Sequence, residues 1–298
     1  MLLPISQFLF EKSVFLLTQK QSDRLVCLRS QKSPTVRQGQ FWSDLPWYNP
    51  IAPIDTEFML DVSLTKTFDR SNTDVLPFQL DVSFRVDREL VVLFGPSGCG
   101  KSSLLNAIAG LLTPDCGRIV LDGLPLFDSR RAISLPSHRR PIGYVFQSYA
   151  LFPHLNVAQN IGFPLERLKK RQRQRRVREL AAWLHLEPLL DRAVTHISGG
   201  QAQRVAIARA LACDPQILLL DEPFSALDGE LRTELQQTLK RLQRQLNIPL
   251  LLVTHSRGEA LELADRSILI DNGAIVEIDR PDRLLAHTRN LSSNFAWG

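Results

Sequence analysis

A glycine-rich segment between an apolar run and a helical segment most constrains the fold of this chain. The segment fits the pattern G-x-x-x-x-G-K-[ST] at every fixed position and reads Gly95-Pro96-Ser97-Gly98-Cys99-Gly100-Lys101-Ser102. The preceding run, Leu90–Phe94, is apolar throughout, as in a strand buried on both faces. A helix is predicted over residues 101–112, and it begins at the end of the glycine-rich segment. Strand, glycine loop and helix in this order predict backbone N–H groups that point at phosphate oxygens.

The members of this loop have different expected roles. Lys101 is expected to reach the β- and γ-phosphates of a nucleotide, and the Ser102 hydroxyl is expected to bind Mg²⁺. The sequence thus predicts ATP and Mg²⁺ as ligands. The other residues expected to contact the nucleotide here are Gly95, Pro96, Ser97, Gly98, Cys99, Gly100 and Ser103. Cys99 is interpreted as a small loop residue, with redox sensitivity of its thiol as the alternative.

Two adjacent carboxylates follow a second buried run. Ile217–Leu220 is apolar at every position, and Asp221 and Glu222 come directly after it. A strand of a parallel sheet delivers such side chains to its carboxyl edge, where ligands bind in these folds. Asp221 is expected to hold Mg²⁺, and Glu222 to polarise the attacking water as a general base. Considered alone, the pair could equally be a strand that ends in a solvated acidic turn.

The remaining pattern is that of a mixed α/β fold. Leu80–Val86 alternates like a half-buried strand, and Leu250–Val253 is another buried run. Residues 155–196 are predicted to be mostly helical, and amphipathic helices are predicted over 229–246 and 257–264. Strands that alternate with helices predict a largely parallel sheet.

Residues 197–211 connect the chain to a known family. Ile197-Ser198-Gly199-Gly200-Gln201 and the helical segment after it resemble the signature and signature helix of ABC ATPases, with Ile197 where leucine is usual. Physically the segment is a Ser-Gly-Gly turn at a helix start, an anion-binding arrangement. The resemblance covers about residues 60–285. It implies a P-loop NTPase fold of the ABC cassette type, with a mainly parallel core sheet, an antiparallel β subdomain and a helical signature subdomain at about 148–212.

Other residues resemble further motifs of the family, in the expected order. Gln147 resembles the Q-loop glutamine, Ser225–Asp228 the D-loop, and His255 the switch histidine. The resemblance implies that Gln147 and His255 act in catalysis with Glu222 and Lys101. It also implies that Gln147 contacts Mg²⁺ and that Asp228 contacts nucleotide. Phe68 is the candidate to stack on adenine, with a core position as the alternative.

The resemblance also implies a partner for every cassette. ABC cassettes work as head-to-tail pairs, in which two ATP molecules lie between the phosphate loop of one subunit and the signature of the other. Ser198, Gly199, Gly200 and Gln201 are therefore expected to contact ATP held by a second chain. Because this chain carries one cassette, a homodimer is expected.

The segment after Gln147 resembles that of importer ATPases. Ser148–Val157 is similar to the stretch that forms part of the groove for a coupling helix of a membrane permease. A buried loop end is the alternative. Since the chain has no apolar run long enough to span a bilayer, the channel must come from permease subunits. The expected location is peripheral, at the cytoplasmic face of the cell membrane, with an extracytoplasmic solute-binding protein as an indirect partner.

The cargo is harder to predict, because the cassette does not touch the transported solute. Leu126–Arg131 and Leu135–Gln147 most resemble molybdate importer ATPases. Sulfate, iron(III), polyamine and sugar importer ATPases share much of the same sequence and remain alternatives.

The two ends of the chain depart from the cassette pattern. Residues 1–58 form an irregular extension without a clear period, and an alternating strand begins right after Met59. Either synthesis starts at Met59, or the basic, acid-poor extension is a targeting segment. The cassette is expected over 59–286, with a short tail at 287–298 and no C-terminal regulatory β-domain.

Charge and cysteine usage bear on whether the chain binds nucleic acid, holds a metal or forms disulfides. The net charge of +5 arises largely from the run Lys169–Arg178, which a nucleic-acid patch or a solvated helix face would explain. The solvated face is favoured, because no aromatic residue interrupts the run to stack on a base. Gln147 and Ser198 are also too close in the sequence for the coiled-coil insertion of repair ATPases, so no nucleic-acid partner is expected.

The cysteines have neither metal spacing nor a disulfide framework: Cys27, Cys99, Cys116 and Cys213.

Overall fold

The computed structural model describes residues 58–68, 77–225 and 227–288. The predicted extension lies outside these ranges except for residue 58, as does most of the predicted tail. Within them, no helix is both long and apolar enough to cross a membrane.

One sheet organises the described part of the chain. Its strands run in the order β6-β5-β4-β1-β2-β11-β10-β3-β9-β8-β7. The strands are β1 (Leu60–Phe68), β2 (Phe78–Val86), β3 (Leu90–Phe94), β4 (Cys116–Leu121), β5 (Leu124–Asp128), β6 (Ile133–Ser134), β7 (Ile142–Val145), β8 (Ile217–Asp221), β9 (Leu250–Val253), β10 (Arg266–Asp271) and β11 (Ala274–Asp279).

The sheet has a parallel half and an antiparallel half. Strands β10, β3, β9, β8 and β7 are parallel neighbours, whereas β2, β1, β4, β5 and β6 pair antiparallel. Strand β11 connects the halves, since it pairs antiparallel with β10 and meets β2 at Ala274 and Asp81. The predicted parallel core with an antiparallel β part is confirmed.

Seven helices cover the sheet within the described ranges. They are α1 (Lys101–Ala109), α2 (Val157–Gly162), α3 (Lys170–Trp183), α4 (Gly199–Leu211), α5 (Gly229–Leu246), α6 (Arg257–Leu263) and α7 (Pro281–Thr288). The helix predicted over 101–112 stops early, because Gly110 adopts φ 78° and closes its end. The region predicted to be helical over 155–196 is divided into α2, α3 and three short 3-10 turns.

The apolar strands are continuous because both faces of the core sheet are covered. Along β3, Leu90, Val92 and Phe94 pack in a cluster with the helical region, including α3 and α4. The intervening Val91 and Leu93 pack in a second cluster with α1 and the antiparallel strands. Since strand side chains alternate between faces, burial on both sides requires an unbroken apolar run.

Candidate nucleotide site

The parallel strands bring the predicted motifs to one edge of the sheet. Leu93 of β3 pairs with Val253 of β9, and Val253 pairs with Asp221 of β8. The carboxyl ends of the three strands therefore lie side by side. The glycine loop and Glu222 follow β3 and β8 directly, and His255 follows β9 after Thr254.

The backbone of the loop explains two of its glycines. Gly95 has φ 153°, and a Cβ there would lie 2.0 Å from the carbonyl oxygen of Ile270 on β10. Gly98 has φ 79°, yet a Cβ there would meet no atom within 4 Å. Gly95 is thus needed for close approach of two backbones, whereas Gly98 faces open space, as a phosphate cradle requires.

Lys101 is held at the centre of this loop. Its side chain is buried, and its Nζ donates hydrogen bonds to the carbonyl oxygens of Gly95 at 2.8 Å and Pro96 at 2.6 Å. The Sγ of Cys99 lies 3.6 Å from the same nitrogen. Burial raises the pKa of the Cys99 thiol, although Lys101 opposes the shift. A neutral buried thiol favours the interpretation of Cys99 as a small loop residue.

Ser102 and Asp221 form a pair suited to a hard cation. The Ser102 hydroxyl donates to Asp221 Oδ1 at 3.0 Å, across the gap between α1 and β8. Burial raises the pKa of Asp221, while the hydrogen bond from Ser102 opposes the shift. Mg²⁺ is commonly bound through one or two protein oxygens together with substrate phosphates and water. The hydroxyl and carboxylate oxygens of this pair are donors of the kind that would hold Mg²⁺ together with a nucleotide.

Glu222 contacts two of the three other residues predicted to act in catalysis. The Nε2 atom of Gln147 donates to Glu222 Oε2 at 2.8 Å, and His255 Nδ1 lies 3.6 Å from Glu222 Oε1. The structure therefore joins Gln147, Glu222 and His255 in one cluster, although β7, β8 and β9 supply them separately. The contact of Gln147 is with Glu222, and its role toward Mg²⁺ stays a prediction.

The backbone of Glu222 is a feature that the sequence did not reveal. This residue has φ 44°, in the left-handed region that residues with side chains rarely adopt. Its N–H donates to the Val253 carbonyl at 3.1 Å, and its own carbonyl accepts from the Ser225 hydroxyl at 3.1 Å. Such conformations persist where surrounding bonds enforce them, and they cluster at functional sites. Nothing local predicts it, because Pro223 favours an extended residue before it.

Two aromatic rings flank the loop. Phe68 and Phe78 are cross-strand partners on β1 and β2, with ring centroids 5.7 Å apart. Both line a cavity of about 430 Å³ with loop residues, Lys101, Ser102, Ser103 and Glu222. The Phe68 prediction thus falls beside the phosphate loop, and Phe78 is a second candidate for adenine that sequence reasoning missed. Its position opposite Phe68 follows from the register between β1 and β2, which no spacing in the sequence marks.

The signature residues lie apart from this cavity. Ser198 caps α4 by accepting the N–H of Gln201 at 3.3 Å, and the Gln201 side chain accepts the Ser198 N–H at 3.0 Å. Ser198, Gly199 and Gly200 do not line the cavity that contains Lys101. Asp228 likewise caps a helix, since its carboxylate accepts the N–H of Leu231 at 3.0 Å. Each motif is therefore a formed helix start. The sequence predicts this for Ser198, whereas the predicted contact of Asp228 with nucleotide stays a prediction.

A buried arginine anchors the far end of the helix that carries Lys101 and Ser102. Arg140 Nη1 donates to the carbonyls of Ala107 at 2.8 Å and Ile108 at 2.6 Å, in the last turn of α1. Burial lowers the pKa of Arg140 to about 10, so the side chain stays charged at neutral pH. Its charge complements the negative end of the helix dipole.

Fold and site together define a P-loop ATPase-type nucleotide site. The family model described as ABC transporter matches residues 80–225. The probable sulfate/thiosulfate import ATP-binding protein CysA of Chlorella vulgaris is 45% identical over 209 residues, which are 69% of this chain and 86% of that protein. The chain belongs to the ABC transporter family.

Other relatives agree with this assignment. The spermidine/putrescine import ATP-binding protein PotA of Mesorhizobium japonicum is 46% identical over 223 residues, which are 74% of this chain and 59% of that protein. The chain spans little more than half of that relative's length. Among solved structures, a dimeric post-hydrolysis state of the cassette MJ0796 bound to ADP and Pi is 31% identical, with a TM-score of 0.65, and covers 75% of this chain and 99% of its own.

Proposed function

We propose that this chain is the ATP-hydrolysing subunit of an ABC importer. The observation that carries the proposal is the cluster of Gln147 and His255 on Glu222, at the rim of the cavity that holds Lys101 and Ser102. A carboxylate that accepts a hydrogen bond from Gln147, with His255 nearby and a phosphate-binding lysine beside it, is suited to activate water for attack on a phosphate.

Each residue has a role in this proposal. Lys101 and the loop N–H groups neutralise the phosphates, and Ser102 and Asp221 hold Mg²⁺, which supplies charge neutralisation when bound. Glu222 orients the attacking water and accepts a proton from it at a carboxylate oxygen. Gln147 holds that carboxylate by a hydrogen bond, and His255 lies 3.6 Å from its other oxygen.

A second cassette would complete the site. Ser198 to Gly200 lie outside the cavity of their own chain, and α4 presents its N-terminus there, which attracts anions. We infer that two copies pair head to tail, so that each signature covers the nucleotide of the other. The solved relative MJ0796 is described as dimeric and bound to ADP and Pi, which supports the pairing of two copies.

The segment after Gln147 supports contact with a permease. Arg209 donates to the carbonyls of Tyr149 at 2.9 Å and Ala150 at 2.7 Å, and it lies over the ring of Phe152. Asn160 is fully buried and bonds both the N–H and the carbonyl of Phe152. A surface fixed from beneath in this way can transmit motion of Gln147 to a helix seated on it. The proposed location is therefore peripheral, at the cytoplasmic face of the membrane.

The cargo proposal follows the names of the relatives. These are called import proteins for spermidine/putrescine and for sulfate/thiosulfate, both among the predicted alternatives. Molybdate, the cargo predicted from residues 126–147, has no support from them. We propose a polyamine or sulfate/thiosulfate importer. The assembled transporter would test this, since the correct solute with its binding protein should stimulate ATP hydrolysis and the other solutes should not.

Replacement of Glu222 tests the hydrolytic function. Glu222→Gln should lower the rate of ATP hydrolysis by about 10²- to 10⁴-fold, because the general base is lost. ATP binding should persist, and ATP should hold the variant as a pair in sedimentation experiments. Glu187→Gln, at an exposed turn, is the control and should behave as wild type. Wild-type protein without Mg²⁺-dependent ATPase activity, alone or with its permease, would refute the proposal.

A further inference from the structure

His255 makes little side-chain contact that could fix its position. Its side chain is 57% exposed, and the contact with Glu222 at 3.6 Å is longer than a hydrogen bond. Among the described residues this is the one ion-pair or hydrogen-bond contact of the imidazole, so its orientation depends on the backbone. What holds the backbone on either side of His255 therefore determines where its ring points.

The neighbours of His255 are held by a small network of hydrogen bonds. Thr254 is buried, and its hydroxyl donates to the carboxylate of Glu259. The same hydroxyl oxygen accepts the N–H of Ser256 at 3.0 Å, and the Ser256 hydroxyl accepts the N–H of Glu259 at 3.3 Å. Residues 254 and 256 are thus tied together, and Glu259 fixes the direction in which the Thr254 hydroxyl donates.

Glu259 also connects this network to the D-loop. Its side chain is 8% exposed, and its Oε1 lies 3.8 Å from Arg232 Nε on α5. Arg232 Nη2 in turn donates to the carbonyl of Leu227 at 3.0 Å, next to the helix cap at Asp228. These side chains line a cavity of about 390 Å³ that also contains Glu222 and His255. A carboxylate buried here is costly unless it is paired, which argues for a specific role.

We propose that Glu259 is a positioning residue that directs His255 toward Glu222, and that Arg232 couples this position to the D-loop. The inference rests on the proposed hydrolytic function, for which it supplies a route of communication. The contact between Arg232 Nε and Glu259 Oε1 at 3.8 Å is longer than a hydrogen bond, so a shift of the Leu227 carbonyl would act on Glu259 through the charge of Arg232. The Thr254 hydroxyl, which donates to Glu259 directly, would follow the carboxylate. Pairing of two cassettes at the D-loop would therefore align His255 within each chain.

The chain offers a matched control for testing Glu259. Lys240 and Glu262 form an exposed ion pair at 3.4 Å between the same two helices, α5 and α6. Glu259→Gln should lower the kcat for ATP about 10- to 100-fold, since small misplacement of a catalytic group costs this much. The KM for ATP should change less than about twofold, because no contact with the nucleotide is removed. Glu262→Gln should leave both constants unchanged.

Combined variants show whether Glu259 acts through His255. In a His255→Ala background, Glu259→Gln should cause less than about a twofold further loss of kcat, because residues that act as a unit are not additive. Losses that multiply would overturn the proposal. Thr254→Val should reproduce the loss seen with Glu259→Gln, and Thr254→Ser, which keeps the hydroxyl, should restore activity. Thr254→Val and Thr254→Ser test the same network if Glu259→Gln does not fold.

A measurement without nucleotide separates this inference from the proposed function. Amide hydrogen exchange at Ser256 should become at least about tenfold faster in Glu259→Gln and in Thr254→Val. The acceptor of this N–H is the Thr254 hydroxyl, which loses its fixed partner in the first variant and is absent in the second. Exchange in Glu262→Gln should match wild type. If wild type hydrolyses no ATP, the proposed function fails. The exchange result still tests whether Glu259 and Thr254 hold the backbone at Ser256. Unchanged exchange in both test variants would refute the inference.

Discussion

The phosphate loop contains two glycines that allow its backbone geometry to be separated from its steric contacts. Gly95 and Gly98 both have positive φ, at 153° and 79°. A Cβ at position 95 would lie 2.0 Å from a backbone oxygen of β10, whereas a Cβ at 98 would meet nothing within 4 Å. Alanine at either position thus carries a conformational cost, and only at 95 does it also carry an overlap.

The two costs can be estimated separately. Alanine at an unfavourable positive φ costs about 1–2 kcal/mol of unfolding free energy, so Gly98→Ala should be destabilised by that amount. Overlap with a fixed backbone adds about 1–3 kcal/mol. The Ile270 carbonyl cannot rotate away, because β10 pairs with β3 on one side and β11 on the other. Gly95→Ala should therefore lose about 2–5 kcal/mol, a large fraction of typical domain stability.

Urea unfolding followed by circular dichroism measures the difference directly. Gly95→Ala should unfold at a clearly lower urea concentration than Gly98→Ala, with the same dependence of free energy on urea. Gly229→Ala, which meets no atom within 4 Å and has no positive φ, is the control and should not be destabilised. Equal destabilisation of the two loop variants would refute the reasoning, because the close approach to β10 would then have no energetic consequence.

Three other perturbations test the site. Arg140→Met should cost about 3 kcal/mol in urea unfolding, because it removes a buried charged donor from the carbonyls of α1. Asp221→Asn should raise the free energy of unfolding at pH 7: burial raises the pKa of Asp221 in the folded state, so stability falls as pH rises through that pKa. The gain should vanish near pH 4, about where free aspartate is protonated, and a variant no more stable than wild type at pH 7 would contradict it. Ser198→Ala should cost about 1 kcal/mol as a lost cap and weaken ATP-dependent pairing in sedimentation. Its ATP affinity as a single chain should stay unchanged, unlike that of Lys101→Ala.

The sequence predicted the site residues that depend on strand edges. Buried runs before Gly95, Asp221 and Thr254 indicated parallel strands, and the carboxyl ends of such strands meet at one edge. This is enough to place Glu222 beside the glycine loop, whereas His255 and Gln147 were predicted from their resemblance to motifs of the family. Helix caps at Ser198 and Asp228 were equally accessible, because capping is local in the chain.

Contacts between distant segments could not be predicted in the same way. The network of Arg232, Glu259 and Thr254 joins α5, α6 and the end of β9, and no spacing in the sequence marks it. The pairing of Phe78 with Phe68 depends on hairpin register across residues 69–76. Such contacts follow from the packing of whole elements, which propensity and periodicity do not specify.

The unfavourable features of the structure concentrate where function is proposed. Asp221 is buried with a raised pKa, Lys101 is buried among carbonyls, and Glu222 has a left-handed backbone. Each costs stability, and each is relieved or used when charged phosphates and a cation enter. The folded chain is therefore held ready for a ligand rather than optimised without one. Because the signature lies outside this cavity, the proposed function requires both that ligand and a second chain before the site is complete.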